Sequence, residues 1–391
     1  MPWPSWVEVD LDAIRENVRV VRGTLDAGCQ IMAVVKAQAY GHGAVAVSTA
    51  ALEAGASWLA VARVREGVQL RNAGIGAPVL VLGPMAPSEV STLVENDLRP
   101  TLVSLQQAIA VSEASQRASK VVPVHLKVDT GLSRYGVPAA EVVQWLASAA
   151  SLPGLHLEGL CSHFATADEE DRSFAESQLL AFERARDGLE QAGFRFRVVH
   201  MAASAAILGI AESHLDMVRI GLSLYGLYPS PHLVPRAALR PALSLQGRIA
   251  RVFRLQPGQS IGYGRTFVAD RPMQVALVPI GYADGLPRSH SNRGVLLVKG
   301  KRAPIIGRVS MDQCVVDVTG FGSIHEGAPA VAIGVQGDDE ISCDEFARRS
   351  GTISYEVVTS LGYRLPRVYR SGGRIVSVGY LDEGRLEEWG Q

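Results

Sequence analysis

The chain has 391 residues, of which 47% are hydrophobic and 20% are charged, and its formal net charge is −1. This composition excludes an intrinsically disordered chain and predicts a folded protein long enough for two packed domains. Lys and Arg are scattered, which argues against a nucleic-acid-binding face, and no apolar run approaches the roughly 18 residues needed to cross a bilayer. We therefore expect neither nucleic acid nor a membrane as a partner.

The N-terminus and the cysteines indicate a cytoplasmic protein. The first six residues contain no basic segment followed by an apolar stretch, so we expect no secretion signal and a mature protein that starts here. The four cysteines lie far apart, without a Cys-x-x-Cys pair, at Cys29, Cys161, Cys314 and Cys343. This spacing predicts free thiols, and neither a disulfide framework nor a metal site.

The first part of the chain alternates short apolar runs with helical patterns. The runs, rich in Val, Leu and Ile, are 31–35, 58–61, 79–82, 99–103, 123–128, 155–161, 196–199 and 216–220. Such runs are typical of parallel strands buried on both faces. Helices are expected over 10–26, 44–55, 63–73, 104–118, 138–150, 171–192 and 202–210. The pattern predicts a (β/α)8 TIM-like barrel, with an open doubly wound sheet as the alternative.

The pattern changes after Pro229-Ser230-Pro231. Alternating runs separated by Gly and Pro turns follow, at 242–254, 274–280, 294–299, 303–309 and 313–318, and one helix is expected near 342–349. Alternation of this kind is typical of a mostly antiparallel sheet. We predict a barrel domain over residues 1–237 and a C-terminal, mostly-β domain over residues 238–391.

Lys36 directly follows the apolar run Ile31–Val35. A partly desolvated amine loses its proton more easily and can then attack a carbonyl, so this position predicts a lysine that forms a Schiff base. The alternative is a lysine whose ammonium group extends from the barrel rim into solvent.

Further polar residues lie at the ends of the fifth to eighth predicted barrel strands or directly after them. They are Lys127, Asp129, Arg134, His163, His200, Ser204 and Arg219. Active sites of such barrels lie at this end of the strands. Each residue alone has an ordinary structural explanation, such as a helix cap for Ser204, but their coincidence at one rim favours an active site.

These residues lie in motifs that resemble those of one family. The sequence Val-Lys-Ala-Gln-Ala-Tyr-Gly-His-Gly at 35–43 is similar to the signature around the pyridoxal-phosphate lysine of alanine racemases. Lys-Val-Asp-Thr-Gly-Leu-Ser-Arg-Tyr-Gly, Met-Val-Arg-Ile-Gly and Ser-Ile-Gly-Tyr-Gly-Arg-Thr-Phe match further motifs of that family. The resemblance covers essentially the whole chain and implies an isomerase that interconverts L- and D-alanine with pyridoxal 5'-phosphate.

The resemblance also implies a set of cofactor contacts. Lys36 would hold the cofactor, and His163 would lie against its pyridine ring. The phosphate would be bound by Tyr40, Ser204, Gly221 and Tyr355. Arg219 would bond the pyridine nitrogen; because arginine keeps its proton, that nitrogen would stay unprotonated, which weakens the electron sink and suppresses transamination.

Racemisation needs a base on each face of the α-carbon. The resemblance implies that Lys36 serves one face of the external aldimine and that Tyr263 from a second subunit serves the other, which implies a homodimer with shared active sites. It assigns contacts with the amino-acid substrate to Arg134, Met311 and Asp312, and a gate at the entrance to Tyr282. Lys127 matches the lysine that is carbamylated in many members, where the carbamate holds the arginine.

Three positions depart from the family pattern, namely Gln38, Ala203 and Ser310. They leave open a racemase of serine or of a broader range of amino acids. A non-catalytic pyridoxal-phosphate carrier is less favoured because such carriers lack the C-terminal β domain, and a decarboxylase because its pyridine nitrogen faces an acidic residue. The expected role is D-alanine supply for the bacterial cell wall, with catabolism as the alternative.

Overall fold

The computed structural model describes residues 1–382 and 385–388 of the chain. The chain divides into two compact units. The barrel unit comprises residues 13–39 and 44–241. The strand-rich unit comprises residues 1–12, residues 40–43 and the chain from residue 242 onward. The strand-rich unit therefore contains two segments from the N-terminal part of the chain.

Within the described residues, eight parallel strands of the barrel unit pair in chain order around the sheet, and the short strand Val137–Pro138 pairs parallel with the fifth of them outside this order. The eight strands are Gln30–Val34, Trp58–Val61, Val79–Val81, Arg99–Leu102, Val122–Asp129, Leu155–Cys161, Val198–His200 and Met217–Ile220. The eighth strand pairs with the first, with Met217 opposite Gln30. An isolated parallel bridge between Ala203 and Arg219 connects the seventh and eighth strands. The sheet is thus a nearly closed barrel, which confirms the predicted fold class and rules out the open sheet.

Helices follow most of the barrel strands. They are Leu11–Arg22, Ala44–Glu53, Val64–Asn72, Val90–Glu95, Leu105–Ala118, Val142–Ala149, Ser173–Gln191 and Ser204–Gly209. The helix Val90–Glu95 was not predicted, because it is short and buries only three apolar side chains. The helix Leu105–Ala118 has clear end signals: Ser104 caps it by accepting a hydrogen bond from the Gln107 N–H at 3.3 Å, and Ser119 ends it in a left-handed conformation.

The strand-rich unit is built mainly from antiparallel pairs. Its strands are Ser5–Asp10, Leu243–Arg248, Arg251–Leu255, Ser260–Ile261, Phe267–Val268, Met273–Val278, Val295–Val298, Lys301–Pro304, Cys314–Asp317, Pro329–Gln336, Asp339–Ile341, Arg367–Ser371, Arg374–Tyr380 and Arg385–Glu388. The predicted single run 242–254 is two strands in different sheets, Leu243–Arg248 and Arg251–Leu255. Two helices, Cys343–Ser350 and Ser354–Thr359, occur where one was predicted.

The N-terminal strand Ser5–Asp10 belongs to the largest sheet of the strand-rich unit. It pairs antiparallel with Leu243–Arg248 and parallel with Arg367–Ser371. Trp6, Val7 and Val9 are buried, so the strand contributes to the core of this unit. Sequence analysis missed this strand because its pairing partners lie more than two hundred residues away.

All four cysteines are buried and unpaired, as the predicted free thiols require. Among the described residues, no helix has the length and apolar character needed to cross a membrane.

Candidate active site

Lys36 lies at the C-terminal end of the first barrel strand. The preceding residue, Val35, still donates its N–H to the Ala60 carbonyl at 2.8 Å, so the lysine leaves the sheet at its rim. Partial burial and the positive charge of Arg134 lower the pKa of Lys36, while Glu66 opposes the shift. The side chain is half-buried. A half-buried amine with a lowered pKa is suited to attack a carbonyl.

The chain directly after Lys36 forms a left-handed turn that was not predicted. Ala37, Gln38, Ala39 and Tyr40 have φ values of 51°, 54°, 52° and 53°. This conformation costs about 1–2 kcal/mol for each residue with a Cβ, so contacts around the turn must hold it in place. Four strained residues directly after Lys36 are consistent with a functional site.

Glu66 supplies one of those contacts. Its Oε1 accepts a hydrogen bond from the Ala37 N–H at 2.6 Å, and its Oε2 accepts from Ala62 and Arg63 N–H at 2.7 and 2.9 Å. One carboxylate therefore joins the turn after Lys36 to the start of the helix Val64–Asn72. Sequence analysis missed Glu66 because a glutamate in the first turn of a helix is common for capping alone.

Gln38 supplies a second contact with the same helix. Its Nε2 donates to Gln69 Oε1 at 2.9 Å, and its Oε1 accepts from the Ala44 N–H at 3.4 Å. The departure from the family pattern at Gln38 is therefore matched by a glutamine partner. Both groups of the Gln38 amide are used in holding the turn.

Arg219, in the eighth barrel strand, is 5% exposed, and the acceptors that it reaches among the described residues are backbone carbonyls and imidazoles. Its Nη1 donates to His200 Nδ1 at 2.6 Å and to the His200 carbonyl at 3.1 Å. Its Nη2 donates to the carbonyls of Ser162 and Met201, both at 2.8 Å, and to His163 Nδ1 at 3.0 Å. Both terminal nitrogens are thus engaged by the described residues, which leaves the Nε–H as the donor for a further acceptor.

His163 follows the sixth barrel strand and is a neutral imidazole. Because Arg219 can only donate, the His163 Nδ1 must accept, and the proton of the ring must sit on Nε2. Burial and the nearby cations, Arg219 first, hold the pKa of His163 well below its usual range. A neutral ring next to Arg219 is compatible with the predicted packing against a pyridine ring.

Ser204 and Gly221 are close together in the barrel unit. Ser204 Oγ accepts hydrogen bonds from the N–H groups of Gly221 and Ser223 at 3.0 and 3.1 Å. A hydroxyl oxygen that accepts two such bonds has its own proton to donate, which is what an anion such as a phosphate needs. In this structure the Gly221 N–H is directed at Ser204.

Lys127 and Arg134 lie at the end of the fifth barrel strand and in the loop after it. Burial lowers the pKa of the half-buried Lys127, and the charges of Arg219 and Arg134 act in the same direction. Its Nζ lies 5.8 Å from the centroid of the Tyr135 ring. Asp129 shapes the loop by accepting from the N–H groups of Gly131 and Ser133 at 2.9 and 3.0 Å, and Arg134 is exposed on it.

Tyr40 and Tyr355 are neighbours in the strand-rich unit, with ring centroids 6.3 Å apart. Tyr355 lies on the helix Ser354–Thr359, which sequence analysis did not find. Burial, reinforced by Tyr355, raises the pKa of Tyr40 well above its usual range. The Tyr40 hydroxyl is therefore a hydrogen-bond donor over the whole physiological pH range, which suits a phosphate contact.

Tyr263 is highly exposed, at 73% of its surface, on a turn between two glycines. Gly262 and Gly264 have φ values of 70° and 72°, and a Cβ on Gly264 would lie 3.1 Å from the Arg308 guanidinium. Glycines on both sides therefore let the chain make this turn against Arg308. The turn presents Tyr263 away from the body of its own unit.

Tyr282, Met311 and Asp312 are brought together by backbone contacts. The Tyr282 N–H donates to the Ser310 carbonyl and the Ala283 N–H to the Met311 carbonyl, both at 3.0 Å. Tyr282 and Met311 are 44% and 53% exposed.

Arg364 links these two loops by ion pairs that were not predicted. It contacts the buried Asp284 at 2.8 Å and the exposed Asp312 at 2.7 Å. Asp284 also accepts from the Gly281 N–H at 2.9 Å. No sequence pattern pairs Arg364 with Asp284, because eighty residues separate them.

Comparisons with known proteins identify the family. The model of the alanine racemase N-terminal domain matches residues 9–229, and that of the C-terminal domain matches residues 242–369. The alanine racemase of Halothermothrix orenii is 42% identical over 94% of this chain and 97% of its own length. That of Desulforamulus reducens is 43% identical over 94% of this chain and 100% of its own.

Solved structures agree in fold. The alanine racemase of Bacillus anthracis with bound L-Ala-P superposes with a TM-score of 0.93 at 39% identity, covering 98% of this chain and 100% of that chain. The enzyme from D-cycloserine-producing Streptomyces lavendulae gives a TM-score of 0.90 at 38% identity, covering 95% and 98%. The resemblance read from the motifs is thereby confirmed over both domains. This chain belongs to the alanine racemase family.

Proposed function

We propose that this protein is an alanine racemase that interconverts L- and D-alanine with pyridoxal 5'-phosphate. The observation that carries the proposal is family membership over 94% of the chain at 42% identity. The groups described around Lys36 and Arg219 fit the chemistry that this membership implies. The predicted boundary between residues 237 and 238, the cytoplasmic location and the role in cell-wall synthesis remain predictions.

The residues of each unit fit the proposed cofactor. In the barrel unit, Lys36 offers an amine with a lowered pKa. Arg219 offers its Nε–H, because its hydrogen bonds with the described residues use Nη1 and Nη2. Ser204 offers a hydroxyl proton. In the strand-rich unit, Tyr40 and Tyr355 offer two neighbouring hydroxyl-bearing rings. These are the partners for a carbonyl, a pyridine nitrogen and a phosphate.

The cofactor, when bound, supplies an electron-withdrawing ring that makes the Cα hydrogen of the substrate acidic. We assign the proton transfers to Lys36 Nζ on one face and to the Tyr263 hydroxyl on the other, since a single base returns the proton to the side it came from. Arg219 would donate through Nε to the ring nitrogen and would keep that nitrogen unprotonated, because the guanidinium does not release its own proton.

We assign the second face to a Tyr263 contributed by a second copy of this chain. The 73% exposure of Tyr263, with Tyr282 and Met311 also exposed in the same unit, supports a homodimer in which these side chains are covered by the other copy. Arg134, Met311 and Asp312 are proposed contacts for the substrate carboxylate, and Tyr282 is the proposed gate.

Lys127 is the proposed carbamylation site. Its lowered pKa favours the neutral amine, which is the form that adds to carbon dioxide with loss of one proton. The product carries a negative charge and would pair with Arg134, whereas an ammonium group would repel it.

The alternative of a racemase for serine or a wider range of amino acids rests on Gln38, Ala203 and Ser310. In the structure the Gln38 amide is engaged by Gln69 and Ala44. Ala203 is part of the backbone bridge with Arg219, and Ser310 bonds through its backbone to Tyr282. These contacts hold the scaffold and do not distinguish the substrates; alanine is favoured because the relatives of this chain are alanine racemases. The match to the C-terminal domain model argues against the carrier alternative.

A chiral assay of the purified, cofactor-loaded protein against a panel of L-amino acids tests this proposal. D-alanine as the dominant product supports it. Several D-products at similar rates would support the broader racemase, and no D-product from any substrate would contradict the proposal.

A further inference from the structure

A buried row of side chains extends from Arg219 through the interior of the barrel unit to Glu158. Arg219 Nη1 lies 2.6 Å from His200 Nδ1, and His200 Nε2 lies 2.9 Å from His125 Nδ1. His125 Nε2 then lies 3.6 Å from Glu158 Oε2. The four side chains come from the eighth, seventh, fifth and sixth barrel strands, and all four are buried. The proposed roles above use only the first of them.

The row has a fixed direction of proton donation. Arg219 can only donate, so His200 must accept at Nδ1 and carry its proton on Nε2. That proton points to His125 Nδ1, which must accept, so His125 carries its own proton on Nε2, facing Glu158. Burial and the charge of Arg219 hold the pKa of His200 well below its usual range, which keeps the ring neutral.

At the end of the row away from Arg219, two arginines lie close to Glu158 and favour its ionised form. Arg99 Nε lies 2.6 Å from Glu158 Oε2, and Arg197 Nη1 lies 3.5 Å from Oε1. Burial disfavours the carboxylate, but His125 and Arg99 outweigh that effect and lower the pKa of Glu158 to about 2. Among the described residues, no carboxylate is within ion-pair distance of Arg219 itself, so Glu158 acts on it through the two imidazoles.

The strand next to His125 is shaped to accept its ring. A Cβ on Gly159 would lie 2.3 Å from His125 Nδ1, so only glycine leaves room for the ring at this place in the sheet. Trp58 packs its edge against the other side, with ring centroids 5.5 Å apart. The ring of His125 therefore has one available position, between His200 and Glu158.

We propose that Glu158 is a positioning residue for Arg219: its charge stabilises the proton on His125 Nε2 and so supports, through His125 and His200, the tautomers that Arg219 requires and the position of the guanidinium assigned to the cofactor's pyridine nitrogen. This inference rests on the proposed function for its consequence, but the tautomers themselves belong to the protein without cofactor. Loss of the carboxylate removes the charge that stabilises the proton on His125 Nε2, and the tautomers then depend on the Arg219 end of the row alone. The ordering of His200 and the orientation of Arg219 are then lost in turn.

The test is ¹⁵N NMR of the histidine side chains in the full-length protein without cofactor. In the natural chain we expect His125 and His200 as single Nε2–H tautomers, and in Glu158→Gln we expect mixed tautomers at both. Glu158→Asp, which retains the charge, should restore the natural pattern in part. Glu345→Gln is the matched control, because Glu345 also pairs with two arginines, Arg302 and Arg349, but contacts no histidine of the row.

A second readout uses the protein loaded with cofactor labelled with ¹⁵N in the pyridine ring. The Glu158→Gln variant should shift this resonance toward the protonated form and raise the ratio of transamination to racemisation about tenfold, as expected for loss of one charge-assisted hydrogen bond. Glu345→Gln should change neither quantity.

A proton on His200 Nδ1 in the natural chain would overturn the inference, and this measurement does not depend on any variant folding. Unchanged tautomers and an unchanged pyridine resonance in a folded Glu158→Gln protein would overturn it as well. Normal tautomers in a protein that binds no pyridoxal phosphate would contradict the proposed function while leaving the inference about the buried row intact.

Discussion

Glu66 accepts a hydrogen bond from the backbone N–H of Ala37, the residue that follows Lys36, at 2.6 Å. The same carboxylate caps the helix Val64–Asn72 through two further N–H groups. The strained left-handed turn after Lys36 is thereby attached to a rigid element of the barrel unit. A residue outside the Lys36 motif therefore helps to hold the turn that follows this lysine.

Replacing Glu66 with Gln should weaken this attachment without removing it. The amide oxygen can still accept one N–H, but it carries no charge, and we expect a loss of about 1–2 kcal/mol in the free energy of unfolding. The cofactor should bind more weakly because Lys36 is less well ordered. Urea unfolding and titration with pyridoxal phosphate measure the two effects. The exposed cap Glu89 accepts from the Ala86 N–H at 2.8 Å, so Glu89→Gln is the control and should leave cofactor binding unchanged.

The lowered pKa of Lys36 predicts a pH-dependent stability of the protein without cofactor. An unfolded lysine keeps its proton up to about pH 10.5, whereas Lys36 in the folded chain releases it at lower pH. Between these two values the unfolded state binds more protons, so stability rises with pH. The unfavourable contribution of Lys36 is fully present below its folded pKa and is lost above pH 10.5.

Lys36→Met should therefore raise the Tm of the cofactor-free protein at pH 7, and the difference from the natural chain should shrink as the pH approaches 10. Thermal scans of both proteins across this range measure it. Lys301→Met removes an exposed lysine and serves as the control. A difference that grows with pH would show that Lys36 is stabilised in its charged form.

Arg219→Glu should raise the ratio of transamination to racemisation. A carboxyl group facing the pyridine nitrogen can share a proton with it, and the protonated ring is a stronger electron sink. The variant also loses the donors to the carbonyls of Ser162, His200 and Met201, so we expect it to be less stable by about 3 kcal/mol or more. The ratio of the two products in the same sample does not depend on the folded fraction, and an unchanged ratio would contradict the role of Arg219.

Asp284→Asn should loosen the gate turn that carries Tyr282. Asp284 is 2% exposed and accepts from Arg364 at 2.8 and 3.1 Å and from the Gly281 N–H. We expect a loss of about 2 kcal/mol in the free energy of unfolding, because the half-exposed Arg364 regains water, and a higher KM for alanine. Asp270→Asn, at an exposed pair with Arg271, should change stability by less than about 0.5 kcal/mol. Equal changes in stability and in KM for Asp284→Asn and Asp270→Asn would contradict the proposal that Asp284 holds the turn that carries Tyr282.

The barrel was predictable because its strands are buried on both faces and its helices are amphipathic, as in Val79–Val81 and Leu105–Ala118. The Ser5–Asp10 strand was not, because its place in a sheet depends on distant partners. Motifs identified the proposed site residues, whose roles stay predictions.

The motifs did not predict the contacts that hold those residues in place. The left-handed turn at 37–40 runs against the local preference of Ala, Gln and Tyr, and its contacts with Glu66, Gln69 and Ala44 help to hold it. In the sequence, His125 and Glu158 are isolated polar residues in apolar strands. The closed barrel brings them next to each other and next to His200.

The most direct test of the two-base racemase is Cα hydrogen exchange by the Tyr263→Phe variant in D2O, followed by proton NMR and chiral analysis. Phe keeps the shape of the side chain but cannot move a proton, so we predict that pyridoxal phosphate still binds and that racemisation falls by at least about a hundredfold. One enantiomer of alanine should still exchange its Cα hydrogen through Lys36, with retention of configuration. Full racemisation by the variant, or equal loss of exchange from both enantiomers together with cofactor binding, would contradict the two-base account.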